Sequence, residues 1–201
     1  MATTAAPYGL KAVNLIGGQP YAGSTRQFLI DPAGIAASIY NGSPVYVNAN
    51  GYLAVATATG ADATTNGFPT GTANTGIVGV FVGCNYVNAQ GQQIWSQYYP
   101  TGTTGVVTAL VVDDPDAVFQ VQADGTVAQS ALGANVHFAT GAVATGSTST
   151  GNSTAKVSAT PVTTTAAFRV VGFASGPGDA YTDLLVKINI GYHSYTNAVG
   201  L

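Results

Sequence analysis

The sequence predicts an all-β protein: a small sandwich or barrel with extended N-terminal and C-terminal arms and at most one short helix. Three observations carry this. Charged residues make up 6% of the 201 positions, against roughly 25% in an ordinary soluble domain, and every acid is Asp. A helical bundle or coiled coil needs Glu, Lys and Leu in quantity, so that class is excluded. The chain is instead rich in Gly (26), Tyr (11), Thr and Val, the residues of turns and pleated surfaces. Finally, its apolar runs are short and are interrupted by Gly, Pro and Asn-Gly, the pattern of many short strands.

Taken in order, residues 1–25 combine apolar side chains with Pro7, Gly9, Gly17, Gly18 and Pro20, which fit neither a helix nor an interior strand. Two readings stand: an arm burying Tyr8, Leu10, Val13, Leu15 and Ile16 against a neighbour, or a segment packed on its own domain. A β domain follows over 26–190. Strands are expected at Gln27–Ile30, Ala36–Tyr40, Val45–Asn48, Tyr52–Thr57, Ile77–Val82 and Ile94–Tyr98. Others fall at Val106–Val112, Ala117–Gln122, Val136–Ala139, Phe168–Ala174 and Leu184–Ile190. In the last, Leu184, Val186, Ile188 and Ile190 alternate with Leu185, Lys187 and Asn189. Asn41-Gly42, Asn50-Gly51 and Asp124-Gly125 accept the positive φ of tight hairpin turns. A short helix is expected at Val127–Leu132, stopped by Gly133. Thr/Ser/Gly-rich loops are expected at 58–75 and 141–165, the second exposed at a tip, and residues 191–201 read as a second arm.

The scarcity of charge is the most informative feature. A chain of this mass exposes roughly 8,700 Å², so its ionic side chains stand about one per 670 Å². A standard interface takes about 800 Å² from each partner, and an average patch of that size would bury only one or two ions. Such a surface is cheap to cover, and a net charge of −3 does little to keep copies apart. Five basic residues cannot form a nucleic-acid face. No secretory leader or membrane-length apolar run is evident, so no membrane partner is expected. Cys84 is the single cysteine and reads as a small buried hydrophobe. The sequons at Asn41 and Asn152 read as chance matches.

Catalytic candidates are few. His137 and His193 are the two histidines, and no G-x-S-x-G elbow accompanies them; Gly172-Phe173-Ala174-Ser175-Gly176 has its Ser one place late. Asp113, Asp114 and Asp116 could offer oxygens to Ca²⁺, but the spacing is not that of a calcium loop, and Asp before Pro is ordinary turn chemistry. Trp95, Tyr98 and Tyr99 could line a sugar or peptide groove, or serve as core and interface filler. No phosphate-binding loop is present and no cofactor is expected.

Four stretches carry a family likeness: the run from Pro7 to Gln27, Gly79-Val80-Phe81-Val82-Gly83-Cys84-Asn85-Tyr86, Trp95-Ser96-Gln97-Tyr98-Tyr99-Pro100, and the run from Val111 to Gly125. Together they resemble capsid cement (decoration) proteins of tailed bacteriophages. The resemblance covers most of the chain outside the two Thr-rich loops. It implies a non-enzymatic virion protein on the outer surface of the phage head that stabilises the expanded shell by bridging capsomers. Its implied partners are the major capsid protein and further copies of itself, as a trimer or a dimer. The candidate contact residues are Pro7, Tyr8, Leu10, Val13, Asn14, Leu15, Ile16, Tyr21, Arg26, Tyr192 and Tyr195. An arm burying ~500 Å² of apolar area would gain on the order of 10 kcal/mol, comparable to the entropy of ordering it, so the globular part must add contacts. The alternative is a host-recognition or tail-fibre module binding surface glycans. A major shell subunit would need a long spine helix, and none is expected.

Overall fold

In the computed structural model, which describes residues 4–56, 76–139 and 144–197, the protein is nearly all-β, with two sheets packed in a sandwich-like arrangement. The strands are β1 (Lys11–Leu15), β2 (Arg26–Ile30), β3 (Pro44–Val47), β4 (Leu53–Val55), β5 (Gly79–Val87) and β6 (Gln93–Ser96). They continue with β7 (Val107–Val112), β8 (Ala117–Gln122), β9 (Asn135–Val136), β10 (Phe168–Phe173) and β11 (Asp183–Ile188). One sheet runs β1-β8-β11-β10-β9 and the other β3-β4-β2-β7-β5-β6.

The six-stranded sheet closes on itself. Beyond its linear order, β3 also pairs with the start of β5, at Pro44↔Val80 and Val45↔Gly79, so β3-β4-β2-β7-β5 form a ring. The far half of β5 uses the same edge to pair with β6. Closure gives each of the five ring strands a neighbour on both sides and leaves β6 as the edge of the sheet. At Gly79, which pairs with Val45 across the closure, backbone of β7 also lies close, and an added Cβ would collide with the Val112 carbonyl oxygen. The ring encloses its own core, with Ile30, Val45, Leu53, Phe81, Cys84, Val107, Ala109 and Val111 pointing inward. Val80 and Val112 point the other way and join Leu10, Phe119, Phe168, Leu184, Val186 and Tyr192 in the layer between ring and open sheet.

Most strands fall where the pattern places them, and the departures have physical causes. Ala36–Tyr40 is not a regular strand; only Ile39 bridges, to Tyr99. The Val127–Leu132 helix shrinks to a 3-10 turn at Gln129–Ala131. Ile190, expected on the buried face of the last strand, is 81% exposed, because β11 ends at Ile188 and the chain turns at Asn189–Tyr192. Asn50-Gly51 does turn the β3–β4 hairpin, with Gly51 at φ 81°. Asn41-Gly42 reverses the chain outside any hairpin, and Asp124 spends its carboxylate on the Ala159 N–H instead of a tight hairpin turn. In the segment 144–165, expected as an exposed tip, 148–150 and 163–165 are exposed, whereas the run 151–157 packs inward: Ser153, Ala155 and Val157 are buried, and Val157 bridges Phe138 and Ala123. The loop at 58–75 lies outside the described residues, as do 141–143 of the second loop.

Both termini lie on their own domain where they are described. β1 pairs antiparallel with β8, from Lys11↔Gln120 to Leu15↔Ala117. Leu10 is 2% exposed, and its N–H donates to the Gly42 carbonyl at 2.9 Å. The last described residues clamp onto Ile77, whose N–H donates to Tyr192 while its carbonyl accepts from Ser194. Of the two readings of the N-terminal segment, the structure takes the one in which it packs at home, and the C-terminal arm is corrected likewise. A β-rich segment with a free edge beside it pairs locally, because its backbone groups need partners.

Candidate functional site

From Asp31 to Asp113 the only charge in between is Asp62, which lies outside the described residues. This stretch supplies every strand of the ring except β2, so the ring presents a surface almost without ions. Alternation along β2, β7, β5 and β6 sends one set of side chains into the ring and the other outward. The outward set lines up across four strands as Leu29↔Thr108↔Asn85↔Trp95. Leu29 is 50% exposed and Trp95 57%, with Val87 and Val106 also projecting. The Trp95 ring lies over Gly83, where a Cβ would come within 3.1 Å of its Cζ2. An amide, a hydroxyl and large apolar groups on an ion-free sheet face form a surface suited to contact with another molecule.

The sequence-predicted contact residues are distributed differently. Tyr8 turns back along the outer side of the open sheet, donating its hydroxyl to Asp183 Oδ1 at 2.9 Å, while Lys11 Nζ sits 4.5 Å from its ring centre. Burial first, and then Asp183, push the Tyr8 phenol far above its ordinary value. Pro7 is half-buried beside it, Leu10 is in the core, and Val13 accepts the Tyr21 N–H. Asn14 is exposed on β1, Leu15 closes the turn with Gln19 and Gly18, and Ile16 remains 49% exposed. Tyr21 packs against the inter-sheet core. Pro7, Tyr8, Leu10 and Val13 are therefore engaged within their own chain, and Ile16 is the apolar candidate left open.

Arg26, Tyr195 and Asp113 are brought together. Arg26 Nε approaches Asp113 Oδ2 at 2.6 Å, the Tyr195 hydroxyl donates to the same oxygen at 2.7 Å, and the guanidinium lies 5.3 Å from the Tyr195 ring centre. Burial and Asp113 push the Tyr195 phenol up to about 12. Tyr192 is buried beneath, next to His193. The three acids that could offer oxygens to an ion are spent separately: Asp113 on this node, Asp114 on the Asp116 N–H at 2.8 Å, and Asp116 on Lys187. Among the described residues no three His, Cys, Asp or Glu side chains converge to hold an ion.

The histidines are buried. His193 Nδ1 accepts the Tyr195 N–H at 3.2 Å, capping the last 3-10 turn. Burial lowers the pKa of both, opposed at His193 by Asp113. Cys84 points into the ring, where burial pushes its thiol up to about 12, the inert state of a core cysteine. Tyr99 is fully buried, donating its hydroxyl to Thr103 and accepting from the Ile35 N–H, whereas Tyr98 stacks on Tyr40. Trp95 alone of that aromatic group faces outward as a binding surface would.

Strand pairing, which sequence spacing does not give, is what assembles the Leu29–Trp95 row. The interval between Asp31 and Asp113, with Asp62 as its single charge, was the visible signal. No described helix is long and apolar enough to cross a membrane. No protein-family model, curated protein or solved structure matches the chain.

Proposed function

We propose that this is a structural, non-catalytic protein that seats the outward face of its ring on neighbouring subunits, as a cement protein on the outer surface of a phage head. The observation that carries the reading is the ion-free row Leu29–Thr108–Asn85–Trp95, flanked by uncharged connections at 88–92 and 97–105. Covering it desolvates no charge, and each Å² of apolar area contributes roughly 25 cal/mol. Bridging then rests on the ring face together with Ile16 and Tyr195, and less on detached arms. Repetition on a shell multiplies contacts that are individually weak.

The test adds purified protein to expanded, undecorated heads of the phage that encodes it, and follows stoichiometric uptake and the disruption temperature. Wild-type protein is expected to bind and to raise that temperature. The double variant Leu29→Asp, Trp95→Asp is expected to keep its own melting temperature and to lose binding. Absence of wild-type binding, or equal binding by the folded double variant, overturns the reading.

A second reading, glycan recognition, draws on one observation: an exposed indole beside Asn85, an arrangement on which a sugar ring can stack. It predicts that the isolated protein binds cell-surface sugars and that Trp95→Ala abolishes this.

A further inference from the structure

On the outer side of the open sheet, Arg169 of β10 stands directly opposite Lys187 of β11. Like charges in that position repel, and these are two of only five basic residues in the chain. Asp116 offsets Lys187. Arg169 has no carboxylate partner among the described residues. Its Nε donates to Asn135 Oδ1 at 3.2 Å, and Asn135, 8% exposed, accepts a second bond from Asn189 Nδ2 at 3.0 Å. Asn189 in turn donates to the Ala166 carbonyl at 2.8 Å. An amide chain anchored on buried Asn135 therefore holds the exposed guanidinium by its Nε. The two Nη groups are left as a fork, the edge that takes a planar carboxylate in two parallel bonds.

Arg169 lines a cleft of about 380 Å³ together with Lys187, Thr165, Asn189, Ile190 and Tyr192. Ile190, the residue displaced from the strand, forms an apolar part of the wall. With Asp116 beside Lys187, one positive charge is uncompensated, which matches a monoanion better than a phosphate dianion. We propose that this cleft binds a monocarboxylate with a short apolar tail, its carboxylate on Arg169 and Lys187 and its tail against Ile190 and Tyr192. The site lies on the open sheet, away from the ring face, and stands independently of the assembly reading.

The experiment is a titration of the full chain followed by amide NMR, with hexanoate as the probe and hexan-1-ol and inorganic phosphate as separate arms. Hexanoate is expected to shift Asn135, Arg169 and Asn189 saturably, more strongly than phosphate, with hexanol leaving them unmoved. Arg169→Gln is expected to weaken binding about tenfold or more, the worth of a charge-assisted hydrogen bond. Arg169→Lys, which keeps the charge and loses the fork, is expected to weaken it as well, and serves if the Gln variant does not fold. Absence of a saturable hexanoate shift in the wild type, equal binding of hexanol, tighter binding of phosphate, or unchanged affinity in a folded Arg169 variant would each overturn the assignment.

Discussion

Arg26 and Asp113 meet at 2.6 Å where β2 begins and β7 gives way to the open sheet, and Tyr195 closes on the same carboxylate oxygen. One acid thus joins the ring, the inter-sheet connection and the C-terminal turn. Asp113 is 12% exposed at its side chain and Arg26 64%, so the bond to Tyr195 and the sheltered acceptor matter more than the exposed ion pair. Asp113→Ala is expected to cost about 1–2 kcal/mol in urea denaturation and to speed hydrogen exchange over 192–196. An equal cost for Arg26→Ala would contradict this ranking.

Residues 4–25 are part of the folded unit. Removing them strips β1 from β8 and takes Leu10 out of the inter-sheet core. Leu10→Ala alone is expected to cost about 2–4 kcal/mol. The deletion should lower the melting temperature markedly, whereas a detachable arm would leave it unchanged.

Gly79→Ala is expected to cost about 3 kcal/mol or more, because its Cβ would meet a backbone carbonyl that cannot rotate away. Gly51→Ala, in the open hairpin turn, strains φ alone and should cost less. Calorimetry of the two variants compares them directly, and an equal loss would mean that β5 and β7 pack less closely at Gly79 than their geometry implies.

Stability should form a plateau with two edges. Burial holds the pKa of His137 and His193 below the ordinary 6.5, so the unfolded chain binds more protons there. Their contribution is present above about 6.5 and is lost as pH falls through the folded values. The Tyr195 phenol is raised from 10.0 to about 12, so its contribution is complete below 10 and vanishes as pH climbs through 12. Tyrosinate absorbance tracked alongside unfolding should show the Tyr195→Phe variant losing less stability over that alkaline interval than wild type. An identical alkaline profile would count against the Asp113–Tyr195 bond.

How much could be read in advance depends on the range of the interaction. Period-2 alternation placed Leu184, Val186 and Ile188 inward correctly because burial on one face is written locally. Ile190 obeys the same pattern and fails, since the chain turns there, the Tyr192 N–H bonding back to the Asn189 carbonyl while the Tyr192 carbonyl is held by Ile77, a distant residue. The Thr-rich segment around Ala155 and Val157 reads as loop by composition, yet both residues are buried and Val157 bridges Phe138 on one side and Ala123 on the other. The outward row and the Arg169–Lys187 pair both depend on strand register, and no single stretch of sequence carries that.

The order of pairing also bears on how the molecule is made. Lys11–Leu15 leaves the ribosome early, but its partner Ala117–Gln120 follows about a hundred residues later, after the whole ring between them. The first strand must therefore wait, unpaired, while the ring closes beside it. Translation speed and chaperone cover over that interval, more than final stability, should decide how much of the protein is recovered in native form.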